Sequence, residues 1–207
     1  KASNQTCIGG KTVKTNFSFA CGNDLLDVRD NNTYKTVKIG DQCWMAENLK
    51  YTGNGCAEKI WNDTASQPAC RSHSTDWGEE VLYQWATAMN GSTTEGAQGL
   101  CPDGWHIPTA AEWTTLFNFV GTTPGTKLKA ITPTWDGTDT VGFNAKPAGD
   151  RYTSGTLANV GSGGAWWTST SSGGNARSRS LKSGNSSYGT GLGLKSSGKS
   201  VRCLWGQ

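Results

Sequence analysis

The sequence predicts an α+β fold with two helices, a small twisted antiparallel β-sheet and long Gly/Ser-rich loops. Two amphipathic segments with helical spacing lie before residue 122, and no helical period recurs after residue 125. The second half instead alternates short strand-like stretches with loops rich in Gly and Ser. Helical segments followed by irregular β-structure are typical of α+β domains, and we expect both chain ends to meet in one sheet.

The first predicted element is a β-hairpin in "DVRDNNTYKTVKIG", residues 27–40. Polar residues at 30–32 favour a turn, and the alternation that follows places Val37 and Ile39 on one face. Residues 1–26 precede this hairpin as an N-terminal extension. The chain ends in "SVRCLW", which predicts a closing strand.

The two predicted helices lie at 76–91 and 106–121. The second begins with a capping box, in which the Thr109 hydroxyl accepts from the Glu112 backbone N–H and the Glu112 carboxylate accepts from the Thr109 N–H. A glycine ends each segment. The apolar faces comprise Leu82, Trp85, Ala86 and Met89 in the first helix, and Trp113, Leu116, Phe117 and Val120 in the second.

The seven cysteines are dispersed, and none forms a CxxC pair. Only two histidines are present, so a zinc site is not predicted, and the pattern is typical of an oxidising compartment. Two possible disulfides would close short loops, and a third would tie the end of the chain to its middle. This arrangement leaves Cys43 unpaired. The suggested pairs are Cys7–Cys21, Cys56–Cys70 and Cys101–Cys203.

The formal net charge of +3 is unevenly distributed. All 16 acidic residues lie before residue 151, whereas the last 57 residues contain seven basic residues and no acidic one. Those basic residues are interleaved singly with Gly and Ser, so a nucleic-acid partner is not predicted. No apolar run is long enough to span a bilayer. The chain starts at Lys1, as expected of a processed protein or a fragment of a larger one.

Two resemblances connect the sequence with known proteins. Five stretches match, in order, the Fibrobacter succinogenes major paralogous domain, an extracellular module of bacteria and phages. They are "TYKTVKIGDQCWMAENLKY", "LYQWATAMN", "EGAQGLCPDGWHIPTAAEW", "GFNAKPAGDRY" and "WWTSTSS…SVRCLW". "IPTAAEW" and "VRCLW" are also similar to the formylglycine-generating-enzyme branch of the C-type lectin fold. The resemblance implies a C-type lectin-like domain over residues 27–207.

The second resemblance concerns residues 166–203, which look like the variable region of proteins diversified by retroelements. In that family, mutagenesis rewrites Asn codons of a template, which yields Ser, Gly, Thr, Tyr, Leu or Asn. The pieces that would stay fixed are Trp166, Trp167, Arg179, Leu181, Val201, Arg202 and Cys203. The implied variable, ligand-binding positions are Gly174, Asn175, Ser178, Ser180, Ser183, Gly184, Ser187, Tyr188, Gly189, Gly191 and Gly193. Lys182 does not fit the codon rule.

Candidate catalytic and metal residues are few. "WND" at residues 61–63 matches a calcium-binding motif of C-type lectins, but its Pro-containing partner motif is missing, which favours a plain loop. His106 precedes a proline without a spaced nucleophile, and Cys43 stands beside bulky apolar residues, where a thiol is usually buried and inert. We therefore expect no catalytic residue, no metal and no cofactor.

The sequence thus predicts a non-enzymatic display protein on a cell or virion surface, outside the cell, with a diversified face for a protein or surface-glycan ligand. Small polar residues and Tyr are typical of adaptable binding surfaces. Two alternatives remain open. One is an invariant, calcium-supported carbohydrate-binding adhesin. The other is a modifying enzyme like the formylglycine-generating enzymes, which need a redox-active cysteine pair.

Overall fold

The computed structural model describes residues 5–8, 11–14, 19–53, 70–76 and 78–206. The described chain consists mainly of short strands, namely β1 (Gln5–Ile8), β2 (Lys11–Lys14), β3 (Leu25–Asp27), β4 (Asn32–Tyr34), β5 (Thr36–Ile39), β6 (Gln42–Met45), β7 (Cys70–Thr75), β8 (Gly78–Tyr83), β9 (Trp105–His106), β10 (Asp150–Arg151), β11 (Leu157–Ala158), β12 (Gly163–Ser172), β13 (Asn175–Lys182), β14 (Gly189–Leu194) and β15 (Leu204–Trp205). The helices are α1 (Trp85–Ala88), α2 (Ala110–Val120) and α3 (Pro124–Leu128). None of the helices in this part of the chain has the length and apolarity needed to cross a bilayer.

The predicted α+β class, and with it the two-helix C-type lectin-like fold, is wrong because the described chain is mostly β. The segment predicted as the first helix is strand β8 followed by α1, a helix of 4 residues. Val81, Leu82 and Tyr83 are all buried, as in a strand covered on both faces. A continuous apolar run satisfies helical spacing by coincidence, so spacing alone could not separate the two structures.

The second predicted helix is confirmed as α2. The Thr109 hydroxyl accepts the Glu112 N–H at 3.1 Å, and the Glu112 carboxylate accepts the Thr109 N–H at 2.8 Å. Its four predicted apolar residues are buried, and Gly121 caps the C-terminus. The capping box therefore places the first turn of α2 as the sequence predicts.

The predicted hairpin is also present, as strands β3 and β4 joined by a turn that contains Asn31 at φ 61°. Strands β5 and β6 follow, and a four-stranded sheet forms in the order β5-β6-β15-β9. Leu204 of β15 pairs with both Trp44 and His106, so the chain's last strand lies inside this sheet. Trp205, the last residue of this strand, is 40% exposed.

The predicted Gly/Ser-rich loop region is largely a second antiparallel sheet, in the order β12-β13-β14. Adjacent residues of a strand point to opposite faces, and Trp166 and Trp167 accordingly enter two separate hydrophobic cores. Trp167 packs in the first core, which contains Tyr83 and Trp105. Trp166 packs in the second core, which contains Trp113 of α2. The sheet is therefore held firmly from both sides at β12.

The disulfides differ from the predicted set in one pair. Cys101–Cys203 is confirmed, whereas Cys21 bonds Cys43, so the predicted Cys7–Cys21 pair and the free Cys43 are wrong. The Gly22 N–H donates to the Thr36 hydroxyl at 2.9 Å, which fixes this segment on β5, next to the strand that contains Cys43. Cys70 is also disulfide-bonded. Cys56 lies outside the described residues, and its pairing stays a prediction.

Candidate binding face on the C-terminal sheet

The eleven positions predicted to bind ligand lie in strands β13 and β14 and their turns, but they do not form one exposed face. Ser178 is buried, and Asn175 projects from the opposite face of β13. Six are in strands β13 and β14, and the others occupy the turns before β13 and between the two strands. The strand positions are Asn175, Ser178, Ser180, Gly189, Gly191 and Gly193. The turn positions are Gly174, Ser183, Gly184, Ser187 and Tyr188. The structure thus brings residues separated by up to 19 positions onto neighbouring strands and their turns.

Five of these positions share one face of the sheet, which we call the glycine face: Ser178, Ser180, Gly189, Gly191 and Gly193. Ser178 lies opposite Gly191, and Ser180 lies opposite Gly189. Residues directly opposite each other in an antiparallel pair project from the same side. On β12 this face bears Trp167 and packs on the first core, and it reaches solvent on β14, where Gly191 is exposed.

The space in front of the glycines differs from site to site. A Cβ on Gly191 would find its nearest neighbour, the Ser178 hydroxyl, at 3.7 Å, and a Cβ on Gly174 would meet nothing within 4 Å. A Cβ on Gly193 would lie 2.8 Å from Lys199 Cε and 3.0 Å from the Trp167 ring. Gly174 and Gly191 can therefore be replaced freely, whereas Gly193 is sterically restricted.

Tyr188 has a packing role in addition to its predicted binding role. Its ring stacks on Phe117 of α2 with centroids 3.6 Å apart and planes 9° apart. The side chain is partly buried against the second core. One face of the ring is therefore committed to the fold, and a ligand can contact only what remains.

The seven residues predicted to stay fixed are all buried. Their polar side chains make hydrogen bonds, although the Arg179 Nε atom has no partner among the described residues. The Trp167 indole N–H donates to the Tyr83 carbonyl at 2.7 Å. The Arg179 guanidinium donates to the Ala110 carbonyl at 2.8 Å, which ties β13 to the start of α2. Leu181 and Val201 pack in the second and first cores, respectively.

Asn48 connects two of these residues and was not identified from the sequence. Its side-chain oxygen accepts from the Trp166 indole N–H at 2.8 Å and from Arg202 Nη2 at 2.7 Å. Its amide nitrogen donates to Glu80 Oε2 at 2.7 Å. A polar residue inside the apolar stretch "CWMAENL" was the one available signal of a buried hydrogen-bonding role.

Burial shifts the pKa values of both charged groups around Asn48. Arg202 is fully buried, and desolvation lowers its pKa to about 10. Burial raises the pKa of Glu80, and the hydrogen bond from Asn48 offsets only part of this increase. Both groups are shielded from water, because the structure leaves them almost no exposed surface.

The other candidate residues do not assemble into a reactive site within the described chain. His106 Nε2 lies 2.9 Å from Glu112 Oε1, so this imidazole faces the carboxylate that caps α2. Cys43 is buried and bonded to Cys21. The "WND" motif lies outside the described residues, and among those described no group of three or more His, Cys, Asp or Glu could hold a metal.

The family model described as the Fibrobacter succinogenes major domain matches residues 37–204. That span contains Asn48, α2 and the whole C-terminal sheet. No curated protein and no solved structure gives a significant match.

Proposed function

The chain belongs to the Fibrobacter succinogenes major domain family, and from this premise we propose that it is an extracellular ligand-binding display protein. Its binding surface is the outer part of the C-terminal sheet, with the glycine face and the adjoining turns. A diversity-generating retroelement exchanges the side chains at these positions between variants of the protein. The disulfides are compatible with an extracellular location.

The observation that supports this proposal is the contrast between the residues predicted to stay fixed, which are buried, and those predicted positions that face open space. Trp166, Trp167 and Arg202 lie in the cores or the buried polar network, and their polar atoms are paired. Gly174 and Gly191 face open space instead. Side chains that take no part in core packing can change without loss of the folding energy. This is the property that a diversified binding surface needs.

The composition of the surface favours a macromolecular ligand. The turn between β13 and β14 is exposed and consists of small polar residues, and no acidic residue occurs after residue 150. Arg177 and Lys182 are the exposed basic residues on β13. A shallow polar surface of this kind suits a protein or a surface glycan. Attachment to a larger surface or virion protein is part of the same proposal.

The disulfide at Cys43 favours this function over a modifying enzyme. A modifying enzyme of this kind would need Cys43 as a free thiol, because the other cysteines were predicted to be paired. The Cys43 sulfur is instead bonded to Cys21, and the residue is buried. The thiolate, not a disulfide sulfur, is the nucleophile in cysteine chemistry. The arrangement therefore supports a structural role for this cysteine.

Sequencing of this gene and its neighbourhood across the source population tests the proposal. We expect substitutions to concentrate at the predicted positions that face open space, such as Gly174 and Gly191, with fewer at the buried Ser178 and the restricted Gly193. The seven residues predicted to stay fixed should not vary. An Asn-rich near-copy of the segment and a reverse transcriptase gene should lie nearby. An unvaried segment without such a copy would overturn diversification, and glycan-array binding with and without calcium would then test the invariant adhesin.

A further inference from the structure

Strand β14 is the outer strand of its sheet and has an open hydrogen-bonding edge. The Lys195 N–H donates to the Gly174 carbonyl at 3.2 Å, in register with the pairing of β13 and β14. Because hydrogen-bonded pairs alternate along antiparallel strands, Gly189, Gly191 and Gly193 bond to β13. The backbone N–H and C=O groups of Thr190 and Leu192, and the N–H of Leu194, therefore point outward.

Within the described chain, little occupies this edge. The Leu194 carbonyl accepts from the Ser197 N–H at 2.9 Å and from its hydroxyl at 2.7 Å. No hydrogen bond from another described residue reaches the outward groups of Thr190 or Leu192. On the other side of the sheet, by contrast, β12 is covered by bridges from Gly149 and Ser200.

The sequence of β14 lacks the features that usually protect an exposed strand. Gly189–Leu194 contains no charged residue and no proline, and its register with β13 is unbroken. Natural sheets normally block open edges with lysine, proline or a bulge, because unpaired backbone groups attract another strand. An unprotected strand of this length is expected to have a partner.

The other face of β14 bears two exposed leucines beside Thr190. Leu192 is 59% exposed and Leu194 is 57% exposed, and both project from the face opposite the glycines. Arg177 lies directly across from Leu192 on β13. The edge thus combines free backbone groups with an apolar strip beside it.

We propose that β14 pairs with β14 of a second copy of this chain, around a two-fold axis at Leu192. The two sheets then form one continuous six-stranded sheet. Centring the axis on Leu192 pairs that residue with its counterpart and pairs Thr190 with Leu194 of the second copy. This register pairs the N–H and C=O of Leu192 with those of its counterpart, and the Leu194 N–H with the Thr190 carbonyl of the second copy, as an isologous contact allows. The Leu194 carbonyl already accepts from Ser197 and takes no part in the pairing. The register also brings the leucines of both copies together on one face.

Two properties of β14 favour a second copy over an unrelated peptide as the partner of its open edge: the strand carries no charge, and a second copy already has it formed. The strand is uncharged, so self-pairing brings no like charges together at the axis. The two Arg177 residues would lie three strand spacings apart, about 14 Å, which exceeds the Debye length of about 8 Å at physiological ionic strength. A second copy also offers a preformed strand, whereas a free peptide would lose conformational entropy on binding.

Pairing at this edge leaves the glycine faces of both copies on the same side of the joined sheet. If the proposed function holds, the dimer presents two binding faces to one target, and avidity compensates for weak contacts at each face. The pairing itself does not depend on that function. An experiment that disproves the pairing therefore leaves diversification untouched, and the reverse also holds.

Sedimentation velocity of the full chain over a concentration series tests the pairing. We expect a concentration-dependent species of twice the 22.0 kDa chain mass. Thr190→Pro places a proline ring on the outer edge of β14 without removing a hydrogen bond to β13, and Leu192→Lys places two like charges together at the axis. Each variant should weaken dimerisation roughly tenfold or more.

Ile131→Lys is the matched control, because this exposed apolar residue lies outside the sheets. It should leave the dimer dissociation constant unchanged, and near-ultraviolet circular dichroism should show the native fold in all three variants. A wild-type chain that stays monomeric at every concentration would overturn the proposal. Dimerisation that survives both edge variants, or that the control weakens equally, would overturn it too.

Discussion

The Asn48 side chain forms hydrogen bonds with three buried side chains of different chemistry. Its oxygen accepts from Trp166 and Arg202, and its nitrogen donates to Glu80. An aspartate could only accept, and an apolar residue could do neither. The buried Arg202 charge has no carboxylate within ion-pair distance among the described residues, so neutral oxygens must solvate it. Asn48 is therefore the residue on which the frame of the binding sheet depends.

Asn48→Ala should destabilise the protein by roughly 3–5 kcal/mol, because it leaves a buried guanidinium without its main acceptor. The free energy of unfolding from urea titration measures this change. Asn118→Ala, at an exposed position of α2, is the control and should change it by less than about 0.5 kcal/mol. A similar small effect at both asparagines would contradict the role assigned to Asn48.

At the scale of elements, the alternation of β14 separates two functions. Its glycines pair with β13 and lie on the glycine face, whereas Thr190 and Leu192 direct their backbone groups to the open edge. Exchange of side chains on one face therefore does not disturb the hydrogen bonds of the other edge.

Glycine replacements on this strand should differ sharply in cost. Gly191→Tyr should leave the melting temperature nearly unchanged, because the site is open and Tyr favours strands. Gly193→Tyr should cost about 1–3 kcal/mol, because its side chain would overlap Trp167 and Lys199. Thermal unfolding followed by circular dichroism compares the two, with Gly174→Tyr as the open-site control. Equal losses at Gly191 and Gly193 would show that the glycine face is not selectively open.

For the whole molecule, the C-terminal sheet separates two cores and the Cys101–Cys203 disulfide ties the chain's end to the first of them. The bonded cysteines are 102 residues apart, whereas Cys21 and Cys43 are 22 apart. A disulfide that closes a longer loop restricts the unfolded chain more strongly. The end of the segment predicted to vary is thereby anchored independently of the residues within it.

The loss in the free energy of unfolding on removal of each disulfide should increase with the length of the loop that it closes. The double variant Cys101→Ala/Cys203→Ala should lose about 4–5 kcal/mol, and Cys21→Ala/Cys43→Ala about 3 kcal/mol. Urea unfolding of both variants beside the wild type gives the comparison. A larger loss for the shorter loop would mean that packing around the sulfur atoms, not chain entropy, dominates.

What the sequence determined by itself is local. The cap of α2 and the hairpin of β3 and β4 follow from side-chain-to-backbone hydrogen bonds and turn preferences within a few residues. The order of the family's motifs likewise needs no coordinates. These features were predicted correctly because the interactions that form them are encoded by neighbours in the chain.

What only the tertiary structure decided depends on partners far apart in sequence. Residues 78–83 form a strand because they pair with β7 and their second half is buried. The Gly- and Ser-rich segment forms β13 and β14 because β12 provides a template anchored in both cores. The Cys21–Cys43 bond follows from the contact of the N-terminal segment with β5. Arg202 is buried because Asn48 meets it there. Periodicity cannot reveal such contacts, since burial and pairing arise only when distant segments pack together.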